Sequence, residues 1–408
     1  MEIHKLPKGW KWFSLIDIMN NYDGKRKPIS KEIRSKRKGE FRYYGATEIV
    51  DYIDDYIFDG EYLLIGEDGA NLLSKNKDLA FIVTGKFWVN NHAHVLSSKE
   101  ITTNKYVCNY FNSLNISQFV TGTAQPKLTQ GNLNKINVPI PPLETQQAIV
   151  SKIEELFSEL DKGIEDLKTA QQQLKIYRQS VLKWAFEGKL TNENVKDGEL
   201  PEGWKFFKIG EVCKTVDGDR GPNYPKKEEF SKEGYCLYLS TKNVREDRFL
   251  FDETIFITKE KDEKLRSGKL QKDDVVITTR GTLGNVALYD DKVPFKHIRI
   301  NSGMLILRIL NENLYNYYLM KFITSPVFIN QLKNMQTGTA QPQIPANILR
   351  EIEILLPPTI KEQHLIVQEI ESRLSVADKM EESITQSLQQ AEALRQSILK
   401  KAFSGELV

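Results

Sequence analysis

The strongest constraint on this chain is that its sequence is written twice. "TGTAQP" runs from Thr121 to Pro126 and again from Thr337 to Pro342. "LPKGWKWFSLIDI" begins at Leu6 and "LPEGWKFFKIGEV" at Leu200, the paired prolines at Pro141 recur at Pro357, and "RQSVLKWAFEGKL" from Arg178 returns as "RQSILKKAFSGEL" from Arg395. Four markers in one order are a tandem duplication, so the fold must use one unit twice. The offset is 194 residues at the first marker, 216 at the second and third, and 217 at the last. The front of each copy therefore varies in length while the back is nearly constant.

The constant part predicts a long helix. After Pro142, apolar residues recur at spacings of three and four: Ile149, Ile153, Leu156, Leu160, Leu167, Ala170, Leu174, Tyr177, Val181 and Trp184, with Gly163 the one gap and Ile164 beside it. In the second copy Ile366, Ile370, Ala377, Met380, Ile384, Ala391, Leu394 and Ile398 keep the register, interrupted by Arg373, Ser387 and Lys401. This is the seam of a coiled coil, and two matched helices in one chain are expected to pair with each other. Gly188 and Gly405 close them, since glycine takes the left-handed conformation that ends a helix. At roughly 40 residues each, the helices would be on the order of 60 Å long.

The variable part mixes short strands with a helix. "EYLLIGEDGANLL" and "DDVVITTRGTLGNVALY" read as apolar strands broken at polar, glycine-containing turns, while "NKYVCNYFNSL" and "NLYNYYLMKFI" carry aromatics at helical spacing. The fold class is thus α+β: a head over 1–142, a helix over 143–190, a linker over 191–199, a second head over 200–358 and a second helix over 359–405. No apolar run approaches the ~18 residues of a membrane span, and no secretory signal is visible, so a cytoplasmic protein is expected. Cys108, Cys213 and Cys236 lie far apart, which suits buried free thiols rather than a zinc site.

The net charge of +2 conceals a segregated pattern. Between Gly24 and Arg42, nine basic residues face two acids, including Lys25, Arg26, Lys27 and Arg42. Such density suits a clamp on a polyanion such as the DNA backbone. The start of the first long helix is acidic instead, from Glu144 through Asp166, and an acidic helix does not lie on DNA.

The order of head, "TGTAQPKLTQGNLNKINVPIPPLETQQAIVSKIEELFSELD", helix ending "RQSVLKWAFEGKL", and the same again with "PPTIKEQHLIVQEIESRLSVAD", resembles the specificity subunit of type I restriction-modification systems over essentially all 408 residues. The resemblance implies two target recognition domains, each reading half of a bipartite site in double-stranded DNA. Two helices would form an antiparallel coiled coil that docks two methyltransferase subunits and sets the spacer, with restriction subunits joining in the full complex. It also implies that this subunit is not an enzyme and binds no cofactor, S-adenosylmethionine and ATP with Mg2+ belonging to the partner subunits. Consistently, there is no "NPPY"-type adenine methylation motif, no Walker loop and no paired-carboxylate nuclease pattern. His92 and His94 share a strand face without a third ligand near in sequence, so no metal site is expected. Two alternatives stay open: the same architecture serving a fused restriction-methylation enzyme that cuts on both sides of its site, and a coiled-coil adaptor whose heads bind proteins.

A shared scaffold with two specificities should differ at its reading positions. "YYGATEIV" aligns with "LYLSTKNV", setting Glu48 opposite Lys242 beside the shared Thr47 and Thr241. "LIGEDGA" aligns with "VITTRGT", setting Glu67 and Asp68 opposite Thr279 and Arg280, just after Thr278. Arginine can bond guanine and a carboxylate can accept from cytosine, so these residues, with Arg220, are the candidate DNA contacts. The recurrent "TGTAQP" itself reads first as a structural junction returning each head to its helix, and second as a DNA contact.

Overall fold

The computed structural model describes residues 6–192, 195–196, 198–310, 312–335 and 343–408. It divides into two compact units, Met1–Lys168 with Thr385–Val408, and Thr169–Ile384. Neither is one copy of the repeat. Each combines one head, the first half of one long helix and the last half of the other.

In the first unit the core of the head is a six-stranded sheet in the order Asn20–Asn21, Ala93–Ser97, Phe58–Gly66, Ala80–Val89, Lys38–Tyr44, Ile49–Ile53. All its pairings are antiparallel except that of Lys38–Tyr44 with Ala80–Val89. Leu63 and Ile65 point to one face, against helix Ile101–Ser113, and Leu64 to the other with Phe58, Phe87 and Val95, as the two-residue period of a strand requires. A separate ribbon pairs Lys11–Ser14 with Asn137–Ile140 and leads into helix Leu143–Phe186.

The second unit repeats the ribbon, Lys205–Lys208 with Glu353–Leu356, at the entry to helix Ile360–Ser404. Its head splits the sheet in two. Four antiparallel strands run in the order Cys213–Asp217, Met304–Ile309, Val275–Thr278, Val286–Leu288, and three in the order Phe256–Ile257, Cys236–Leu239, Ile298–Ile300. The front segments thus differ in strand pairing as well as length.

Both long helices start on their own head and end on the other one. A buried glutamine fixes each start: Gln146 accepts from Thr103 Oγ1 (2.9 Å) and donates to the Pro141 carbonyl (3.0 Å). Its counterpart Gln363 accepts from the Tyr315 N–H (2.8 Å) and donates to the Asn313 carbonyl (2.7 Å). A phenylalanine fixes each end. In the first unit Phe403 meets Tyr106 and Tyr110 edge-on, with ring centroids 5.2 and 5.1 Å apart. In the second, Phe186 meets Tyr318 and Phe322 at 5.0 and 5.4 Å.

Within each unit the two helices run antiparallel. Ile149 and Ile153 share a core with Ile398, Leu399 and Ala402, and farther along Asp161 pairs with Arg395, whose guanidinium lies over Phe157. In the second unit Val181 and Ala185 share a core with Ile366 and Ile370, and Arg178 pairs with Asp378 and Glu381. The expected seam holds at Ile149, Ile153, Val181, Ile366, Ile370, Ala377, Ala391 and Ile398, all buried. It fails at Tyr177, Trp184, Met380 and Leu394, which are exposed. Near its end each helix packs on a head as well as on the start of the other helix, so the buried stripe widens to Ala185 and Phe186 in the first and to Leu399 and Ala402 in the second.

The helix-ending glycines are sterically required. Gly188 and Gly405 have φ of +78° and +79°, and a Cβ would stand 2.3 Å from Pro201 Cγ at Gly188 and 2.4 Å from Pro7 Cγ at Gly405. The prolines belong to the recurrent "LPKGW" and "LPEGW", so the helix-end and head-start markers of the repeat are one contact.

Phe186→Ala is expected to destabilise the second unit by about 3 to 5 kcal/mol, the ordinary result of emptying a buried phenylalanine site. The half-buried Phe403 should lose less on the same change. Gly188→Ala should destabilise by more than about 1 kcal/mol. Chemical denaturation followed by far-UV circular dichroism checks all three; an unchanged midpoint for Phe186→Ala would contradict the packing described.

Candidate nucleic-acid interface

In both heads the candidate reading turn follows a buried central strand. Phe58–Gly66 runs into Glu67, Asp68 and Gly69; Val275–Thr278 runs into Thr279, Arg280 and Gly281. One backbone bond anchors the two turns alike. The Leu128 N–H donates to the Glu67 carbonyl (2.8 Å), and the Ile344 N–H donates to the Thr279 carbonyl (3.1 Å). The alignment of Asp68 with Arg280 is therefore structural as well as textual.

What each turn presents differs. Arg280 is exposed, and among the described residues its guanidinium has no partner. Thr241 stands beside it: a Cβ on Gly303 would lie 3.0 Å from Thr241 Cγ2 and 3.8 Å from Arg280 Cβ. Lys242 is exposed next to Thr241 and pairs with the exposed Glu253 at 3.3 Å. In the first head the two stretches also meet, as a Cβ on Gly66 would lie 3.1 Å from the Ala46 carbonyl oxygen, beside the partly exposed Thr47. Glu48 is exposed and pairs with Lys77 (2.6 Å). Asp68 is mostly covered and bonds His92 Nδ1 at 2.8 and 2.9 Å; His92 is itself half exposed and extends the surface.

Three expectations need correction. Glu67 is buried, its carboxylate taken by Arg26 (2.6 Å) and Lys127 (3.1 Å), so it presents nothing to a base. Arg26 is held in the same place, donating also to the Ala93 carbonyl (2.6 Å). Thr278 and Thr279 are buried; the Thr278 hydroxyl donates to the Thr282 carbonyl (2.5 Å) and shapes the turn from inside. Arg220 is exposed, as a DNA contact must be, and shares its charge with the equally exposed Asp217 (3.2 Å), while Asp219 accepts from the N–H groups of Gly221 and Arg266.

The basic segment is ordered and largely neutralised. It forms helix Lys31–Lys36 and strand Lys38–Tyr44, with Arg34 and Lys38 paired to Asp51, Arg37 to Asp54, and Lys36 to Glu32. Arg37 and Arg34 lie over the Trp88 and Tyr43 rings at 5.3 and 4.7 Å. Arg42 donates to the Thr84 carbonyl and lies over Tyr44. Among the described residues Lys25, Lys27 and Lys31 are exposed with no ion pair, and Lys25 rests over Tyr22. These lysines are the part of the patch open to a polyanion.

Beneath the first turn lies a cluster that sequence spacing did not disclose. Asp23, Glu67 and His94 bring potential ligand atoms within 4.8 Å of one another. Arg26 and Lys127 already neutralise the carboxylates, so the group is a closed ion network. His94 Nδ1 faces the Asp23 carboxylate (2.6 Å) and Nε2 the Leu128 carbonyl (2.8 Å); both neighbours accept, so both ring nitrogens are placed to donate. Burial alone would raise the Asp23 carboxyl. The hydrogen bond and charge of His94, with the Val95 N–H and Arg26, outweigh it and hold the group below the ordinary carboxylate value. Glu67 is lowered in the same way by Arg26, His94 and Lys127 against its own desolvation. The three cysteines are free and buried, each thiol pushed up to about 12 by desolvation, and so unreactive.

Family comparison agrees with this organisation. The model of the type I restriction modification DNA specificity domain matches residues 7–169 and 201–392, once per copy. The chain belongs to this family. A candidate type I restriction enzyme specificity subunit of Haemophilus influenzae is 28% identical over 404 residues, covering 96% of this chain and 94% of that one. The EcoDI specificity subunit of Escherichia coli is 24% identical over 442 residues, covering 100% and 90%. A chain from the solved assembly of a type I R-M system superposes with a TM-score of 0.71 over 98% of this chain and 99% of that one, at 19% identity, which establishes a shared fold. Among the described residues no helix of this specificity-family chain is long and apolar enough to cross a membrane.

Depressed carboxyls stabilise above their unfolded pKa, and that stability is lost as pH falls through the folded value. The first head should accordingly weaken below about pH 4. Asp23→Asn should destabilise it by about 3 to 5 kcal/mol at neutral pH, by orphaning buried His94, and flatten the acid limb. Denaturation midpoints between pH 7 and pH 3 decide this; parallel acid limbs for wild type and variant would exclude Asp23 as the titrating group.

Proposed function

We propose that this chain is the DNA sequence-specificity subunit of a type I restriction-modification assembly, each head reading one half of a split site. The observation that carries this reading is the pair of equivalent turns. They hang on the same backbone bond yet offer a carboxylate bonded to His92 in one head and a free arginine in the other. One frame with opposite charge at its tip suits the reading of two different base sequences. The exposed Lys25, Lys27 and Lys31 supply a sequence-independent attraction beside the first turn. The paired helices dock two methyltransferase subunits through their repeated outer faces and set the spacer. Methyl transfer with S-adenosylmethionine, and cleavage with ATP and Mg2+, belong to those partners and to restriction subunits. Adenine-methylation mapping in cells carrying the chain and its methyltransferase partner tests the whole reading. A bipartite methylated site supports it, and no methylation dependent on this chain counts against it.

Arg280→Ala is expected to relax discrimination in the half-site of the second head only, losing about 1 to 3 kcal/mol against the preferred base. Binding to a panel of single-base variants reads this directly. A uniform loss across the panel would make Arg280 a phosphate contact instead.

A further inference from the structure

Two heads that read different bases still meet one thing in common, the phosphodiester backbone, and a contact to it should be spelled alike in both. The longest identical run in the two heads is "TGTAQP". The second copy, 337–342, lies outside the described residues, although Ile344 just beyond it is anchored to the Thr279 turn. The first copy is not the junction to the helix that its recurrence suggested. Thr121 and Lys127 exchange both backbone hydrogen bonds (2.9 and 2.8 Å), closing Gly122–Pro126 into a loop. Gly122 takes φ +85°, and a Cβ there would lie 2.5 Å from the Gln125 carbonyl oxygen, so the loop can be made only with glycine. Its base is bolted to the reading turn: the Gly69 N–H donates to the Pro126 carbonyl (3.0 Å) and the Leu128 N–H to the Glu67 carbonyl (2.8 Å).

Thr121 to Gln125 are exposed. Among the described residues, the N–H groups of Gly122, Thr123, Ala124 and Gln125 have no partner, nor do the Thr123 hydroxyl and the Gln125 amide. The loop contains no carboxylate, and Lys127 stands at its base, half exposed, over Glu67. Consecutive free N–H groups with adjoining hydroxyl and amide donors suit an oxyanion.

We propose that Thr121–Gln125 is a backbone clamp that grips DNA phosphate beside the base addressed from the Asp68 turn. The proposal rests on the DNA-specificity reading and adds to it a division of labour: the sequence common to both copies positions, and a variable turn specifies. A methyltransferase is also common to both heads, but a docking face for it has no reason to be bonded to the turn that changes charge between copies.

The test uses the full chain with its methyltransferase subunits and two duplexes, one carrying the mapped site and one with the same bases scrambled. Ala124→Lys should tighten both duplexes by one common factor and steepen the dependence of log affinity on log salt by roughly 0.9, the mark of one further phosphate neutralised. Ala124→Glu should weaken both by about tenfold, leaving their ratio unchanged. Opposite effects from two charges at one exposed position cannot come from misfolding. A changed ratio between the duplexes would make the loop a base reader and overturn the proposal. Unchanged DNA affinity would overturn it as well, and would assign the loop to the methyltransferase if partner stoichiometry fell. Wild-type protein with no preference for its mapped site would sink the specificity reading together with the clamp. Wild-type preference with both variants unmoved would sink the clamp alone.

Discussion

Everything in this molecule depends on the aromatic end of each long helix packing against the head of the other sequence copy. Phe186 fills a site between Tyr318 and Phe322, and Phe403 meets Tyr106 and Tyr110. Neither copy can complete its own core, because the side chains that finish it lie in the other copy. The helices are antiparallel within each unit for this reason, and not from heptad preference alone: a helix that starts on one head through Gln146 or Gln363 must present its far end to the other. The coil between needs only modest affinity, which is why Arg373 and Ser387 are tolerated in its seam.

The same economy governs the recognition face. A buried strand, one inter-segment backbone bond and one glycine after the turn recur in both heads, whereas the polar tip is free to change. In the second head the tip stands apart from the fold's energetics, since an exposed Arg280 with no partner among the described residues contributes little to stability, whereas in the first Asp68 is tied to His92. Residues just behind the tip are not free. Glu67 and Thr279 occupy one frame position, yet the first is satisfied by a buried ion network and the second by strand and turn hydrogen bonds.

The duplication, the two helices, the strands around each reading turn and the aromatic helices were legible because they are matters of local periodicity and repetition. The domain-level partition was not. A heptad seam announces that a helix needs a partner but cannot say that its last turn belongs to a distant head, so Trp184 was expected inside and lies exposed while Phe186 is buried. Charge was legible only as density. Asp51, Asp54 and Glu67 neutralise much of the basic segment from neighbouring strands, and such long-range pairing leaves no local signature. For the same reason Asp23, Glu67 and His94 converge from separate segments without any motif spacing. The repeated hexapeptide was visible at once, but its bond to Gly69 is a contact across more than fifty residues of sequence, and its position suggested a junction instead.

The ion network also limits how the specificity of the first head can be exchanged. Strand register puts His94 opposite Ile65, and Leu305 opposite the equivalent Ile277, so a buried imidazole in one head stands where the other has a buried leucine. Replacing a buried ion network by well-packed apolar groups is often neutral for stability, whereas removing one member strands the rest. Moving the arginine of the second turn into the first by Asp68→Arg would set a new cation beside His92, with Lys127 and Arg26 already claiming Glu67. Glu67 and Asp23 are already taken, so the new guanidinium would have to turn out to solvent as that of Arg280 does, leaving His92 without its acceptor. The exchange therefore calls for a change at His92 as well, the residue that holds Asp68 in place. The unit of specificity in this frame is thus the tip together with the side chain that holds it.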